Sequence, residues 1–176
     1  MLVWKAARKC ATKVREDYGL STPVDLQHLC EQLGISVWVG NLGGASGLIL
    51  KEPGSDGDIY LERTDSRPRQ RFTLAHELGH YFERLQASDD EYSFRDNAAV
   101  REGRSKKYGL MEFYADEFAG ELLMPEDEFL DIYDKRGLTG AASHFRVSPA
   151  AVKKRKERLE KSHTAKAEKV TQDGNQ

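Results

Sequence analysis

Two histidines four residues apart, with a glutamate beside the first, sit inside one long amphipathic run. The run is Arg71-Phe72-Thr73-Leu74-Ala75-His76-Glu77-Leu78-Gly79-His80-Tyr81-Phe82. A helix advances about 100° per residue, so His76 and His80 lie one turn apart on one face. Two imidazoles so placed can bind a zinc ion, and Glu77 falls beside them as a general base. Phe72, Ala75, Leu78, Gly79, Phe82 and Leu85 form a contiguous apolar face with the histidines along its edge. A metal held there is expected at the border between core and solvent. Gly79 lowers helix stability by roughly 1 kcal/mol against Ala, and its missing side chain leaves room for a close neighbour.

A chain of 176 residues makes one domain, or one with a small appendage. The hydrophobic fraction of 39% builds a core, the charged fraction of 32% predicts a soluble protein, and the net charge of -2 points to no polyanion partner. No apolar run approaches ~18 residues, so no segment is expected to span a membrane. The stretch Met1 to Cys10 lacks the apolar core of a secretory signal, which predicts a cytoplasmic protein. Cys10 and Cys30 have no C-x-x-C spacing and read as reduced packing residues.

Helical spacing predicts helices over Trp4 to Tyr18 and Val24 to Leu33, the second opened by Ser21-Thr22-Pro23 and stopped at Gly34. Ile35 to Val39, Gly47 to Leu50 and Ile59 to Leu61 read as three short strands with tight turns, hence a small antiparallel sheet. Gln86 to Lys107 is polar, acidic then basic, and predicts an exposed loop, with a lid over the metal cleft as the alternative. Tyr108 to Met124 is a second strong helix, followed by Glu126 to Lys135 and a final unit from Leu138 to Lys161. Residues 162–176 read as a polar, disordered tail.

A catalytic zinc needs three protein ligands and an open position. Glu112 and Asp116 are four residues apart in the second strong helix and project from one face. One of these carboxylates can ligate the metal while the other accepts the free N–H of a ligand histidine. Two His and a carboxylate suit zinc, and manganese also fits such a set.

Gln70 to His80, followed by Glu112-Phe113-Tyr114-Ala115-Asp116-Glu117-Phe118-Ala119-Gly120-Glu121-Leu122-Leu123-Met124-Pro125, closely resembles the ImmA/IrrE family of metallopeptidases. The resemblance covers roughly residues 20–160. It implies that His76, His80 and Glu112 bind the metal and that Glu77 is the base. It places Asp116 where the family often has Asn, beside the ligands. It further implies cleavage of a helix-turn-helix repressor or antitoxin in a mobile-element or stress-response module. The expected fold is α+β and zincin-like, a small antiparallel sheet packed by helices around a central H-E-x-x-H helix. The expected division is a metallopeptidase domain over 1–125, a helix-turn-helix-like extension over 126–161 and the tail. No oxyanion stabiliser stands out among Tyr81, Tyr108, Tyr114 and His144.

The C-terminal unit carries Lys153, Lys154, Arg155, Lys156, Arg158 and Lys161 after a turn at Arg146, with Ser148 as N-cap and Pro149 at the first helical position. Docking of a protein substrate is favoured over DNA reading for this basic face, because Arg146 replaces the usual turn Gly. The competing function class is a non-catalytic, metal-stabilised regulator that binds DNA or a repressor through these helices. Glu77 argues against it, since a purely structural site needs no base.

Overall fold

A computed structural model describes residues 2–86, 92–97 and 109–173. Six helices and four strands lie within them. The helices are α1 (Val3–Asp17), α2 (Leu26–Gln32), α3 (Arg67–Gln86), α4 (Leu110–Leu123), α5 (Glu126–Phe145) and α6 (Pro149–Asp173). The strands are β1 (Ser36–Gly40), β2 (Ala45–Lys51), β3 (Asp58–Glu62) and β4 (Tyr92–Asn97), in the sheet order β1-β3-β2-β4. The fold is mixed α+β. No helix among the described residues is long and apolar enough to cross a membrane.

The sheet is not purely antiparallel as expected. β2 pairs antiparallel with β3 and with β4, but β1 pairs parallel with β3, Val37 opposite Ile59. The reason is the path between β1 and β2. Instead of folding back as a hairpin, residues 41–44 step across about two strand spacings, ~10 Å, and β3 fills the gap. Gly43 and Gly44, at φ 60° and 96°, make that step. Glu62, at the end of β3, fastens it by accepting from Leu42 N at 2.7 Å. The same carboxylate accepts from Thr64 N and Oγ1, each at 2.9 Å.

Residues 92–97 overturn part of the exposed-loop expectation, because they form β4 on the edge beside β2. The rest of that stretch, with its lid alternative, lies outside the described residues, as does Tyr108. α2 starts at Leu26 rather than Val24: Asp25 caps it, its Oδ1 accepting from His28 N at 3.0 Å. Residues 162–173 are helical rather than a disordered tail. Ala165-Lys166-Ala167-Glu168 are strong helix formers, and Ser162 is buried, with Arg8 Nη1 donating to its Oγ at 3.1 Å.

α3 is the centre of the fold. Every residue from Thr73 to Phe82 is buried, which marks a helix covered on all sides. One apolar core joins Ala7 and Ala11 of α1, Leu78 of α3, Phe118 and Leu122 of α4, Phe129 and Phe145 of α5, and Val152 and Leu159 of α6. α5 breaks at Gly137, with φ 64° and ψ -168°. It ends at Arg146, a left-handed non-glycine residue at φ 54°. Ser148 Oγ then accepts from Ala151 N at 3.1 Å and starts α6.

α3 and α4 meet at Gly79. A Cβ there would lie 2.8 Å from Ala115 Cα and 3.1 Å from its carbonyl oxygen, both backbone atoms. The close neighbour that Gly79 admits is therefore the α4 backbone. Gly79→Ala is expected to destabilise the fold by about 1–3 kcal/mol through overpacking, despite the gain in helix propensity of roughly 1 kcal/mol. Urea unfolding reads this; a variant as stable as wild type would show that the helices part without penalty.

Candidate metal centre

The crossing at Gly79 and Ala115 sets which side chains converge. α3 presents His76, about one turn before Gly79, and His80, the residue after it, and the first turn of α4 presents Glu112. Ligand atoms of His76, His80 and Glu112 all lie within 4.8 Å of one another. His76 Nε2 is 3.3 Å from Glu112 Oε2, and His80 Nε2 is 3.3 Å from Glu112 Oε1. Tetrahedral ligands at ~2.05 Å from a zinc ion stand about 3.3–3.4 Å apart, so the donor set fits in both chemistry and size. The two imidazoles meet edge to face, with centroids 4.9 Å apart.

The histidines are not at the core–solvent border that the amphipathic pattern predicts. Both are buried, because α4 covers the α3 face that carries them. Only Glu112 keeps an opening, with 19% of its side chain exposed. Burial pushes its carboxyl up, but hydrogen bonds and charge from His76 and His80 outweigh this and hold it below the usual carboxylate range.

Glu77 is fully buried against β2. A Cβ at Gly47 would stand 2.7 Å from Glu77 Oε1 and 2.4 Å from Thr73 Cγ2. Gly47 thus makes the space that the glutamate occupies. Glycine inside a strand is a signal of such close approach, although its neighbour is invisible in the sequence.

Asp116 lies behind His76, its Oδ1 3.0 Å from His76 Nδ1. The peptidase M78 family model, described as the IrrE N-terminal-like domain, matches residues 30–157. The chain belongs to this family. Membership makes it a metallopeptidase-family protein and implies a metal ion. No curated protein matches the chain significantly. A solved Mycobacterium tuberculosis transcriptional regulator has a similar fold, with a TM-score of 0.50 at 19% identity. The match covers 85% of this chain and 45% of that protein.

In this M78 chain the basic α6 does not present all its cations outward. Lys154 Nζ and Arg158 Nη2 reach Asp116 Oδ2 at 2.8 and 3.0 Å. Arg158 Nη1 also lies 3.2 Å from Glu117 Oε1, and buried Arg155 pairs with Glu121. Arg8 of α1 donates to Glu117 Oε2 at 2.8 Å. Desolvation pushes the Asp116 carboxyl up, yet His76, then Lys154 and Arg158, hold it well below the usual range. The basic face expected to dock a partner is therefore divided: Lys154, Arg155 and Arg158 pair with acids of α4, and Lys153 and Lys161 stay exposed.

The remaining candidates have other surroundings. Tyr81 is buried in the core, and Tyr114 receives a hydrogen bond from Gln86 at 3.4 Å. His144 Nε2 contacts Glu128 Oε1 at 2.8 Å on α5. Cys30 is buried, which pushes its thiol up to about 12, and Cys10 is shifted the same way by burial. Neither favours the thiolate that binds a metal.

Proposed function

We propose that the chain is a zinc-dependent endopeptidase in which His76, His80 and Glu112 hold the metal and Glu77 is the general base. Manganese suits the same donors. The observation that carries this reading is the convergence of those three side chains within 4.8 Å, next to a buried carboxylate. A bound zinc ion supplies Lewis acidity toward a carbonyl and lowers the pKa of its water toward ~7. Glu77 takes a proton from the attacking water and passes it to the leaving nitrogen. Asp116 accepts from His76 Nδ1–H, which keeps Nε2 as the donor atom. The resemblance to the ImmA/IrrE peptidases supports a helix-turn-helix repressor or antitoxin as substrate. Engagement of Lys154, Arg155 and Arg158 within the protein weakens the base-reading argument for α6.

Metal analysis and cleavage assays on a helix-turn-helix repressor and on unstructured peptides test the reading together. Purified protein should carry about one divalent ion per chain, and Glu112→Ala should lose most of it together with cleavage. Full metal content in that variant removes Glu112 from the site. A loaded wild-type protein that cleaves neither the repressor nor unstructured peptides would leave the regulator reading in its place.

A further inference from the structure

The two oxygens of Asp116 face different elements. Oδ1 meets His76 Nδ1 of α3 at 3.0 Å, whereas Oδ2 meets Lys154 Nζ at 2.8 Å and Arg158 Nη2 at 3.0 Å, both from α6. Lys154 and Arg158 are four residues apart, so they reach one acceptor from one helix face. Resting on the metallopeptidase reading, we infer that Lys154 and Arg158 are positioning residues of the metal centre. They act on His76 through Asp116, and α6 is thereby part of the site.

The physical argument concerns rotation and charge. The terminal torsion of an aspartate is broad, so a single contact does not fix its plane. Two cations on Oδ2 fix it and leave Oδ1 aimed at the imidazole. They also make an ionised carboxylate tolerable at 2% exposure, where an unpaired one is strongly disfavoured. An ionised carboxylate only accepts, so it demands the Nδ1–H tautomer of His76 and leaves Nε2 as the lone-pair donor facing Glu112.

The test uses the full chain and zinc chloride titrated against a competing chelator. His76 tautomer is read separately in the metal-free protein by long-range proton–nitrogen NMR. Lys154→Met/Arg158→Met should weaken zinc binding about 10–100-fold, the range seen for groups that orient ligands. His76 should change from Nδ1–H to a mixture of tautomers. Lys154→Met alone should give a smaller loss with an unchanged melting midpoint, because this side chain is 43% exposed. Lys154→Arg should restore binding. Should the double variant fail to fold, the Met and Arg single variants at 154 decide: equal zinc affinity overturns the inference. Wild-type affinity and an intact Nδ1–H tautomer in the double variant overturn it too. A wild-type protein that binds no zinc defeats the metallopeptidase reading itself, while the tautomer measurement still decides whether Lys154 and Arg158 set His76.

Discussion

Glu77→Gln is expected to lower turnover about 10²–10⁴-fold, the usual contribution of a positioned general base, with metal content unchanged. The substitution keeps the side-chain volume in a site fitted around it, where Gly47 and Thr73 leave no spare room. It also removes a carboxylate that is 0% exposed. Burying a charge is unfavourable in itself, so the variant should be at least as stable as wild type in urea. That pairing of outcomes separates chemistry from architecture. A glutamate kept for packing or pairing would show the reverse, lower stability with intact turnover. Undiminished cleavage by Glu77→Gln would end the peptidase mechanism proposed for this chain.

The candidate metal site was legible because its side chains obey local periodicity. His76 and His80 are one turn apart, and Glu112 and Asp116 repeat that spacing on α4, so two helix faces that must pack bring four side chains together. Strand neighbours obey no such rule. Residues 36–40, 45–51 and 58–62 are short strands bounded by turns, yet nothing local tells β2 to step over β3. β4 was hidden for another reason: Tyr92-Ser93-Phe94-Arg95 alternates with period two, but only briefly and inside a polar stretch. The inward cations had a readable signature that composition obscured. Val152, Arg155, Leu159 and Ser162 are all buried and follow one helical stripe, so Arg155 stands in a core position. Arg8 does the same beside Ala7 and Ala11 of α1. Their partners Glu117 and Glu121 sit within the buried run of α4. A count of six cations over residues 153–161 therefore suggests a docking face, while their phase divides them between solvent and the interior.

That division predicts the largest effect on stability. Arg155→Met should destabilise the protein by about 3 kcal/mol, the lower end of the cost of breaking a buried ion pair. The guanidinium is 2% exposed, pairs with Glu121 and donates from Nε to Met124 O at 3.1 Å. Burial pushes its pKa down and Glu121 holds it up, so the pair is what keeps the charge in place. Its Nη1 has no hydrogen-bond partner among the described residues, which places the expected loss at the lower end. Most of that loss comes from Glu121, left 6% exposed without its cation. Glu121→Met added to Arg155→Met should therefore recover much of the stability, since apolar replacement of a whole buried pair is often neutral or favourable. Urea unfolding of the two single variants and the double variant reads the coupling. If α6 were a loosely attached extension, each change would stay within about 0.5 kcal/mol, the usual range for surface substitutions, and the coupling would vanish. A strong coupling would mean that the C-terminal helix cannot leave α4 without exposing the buried acids of that helix.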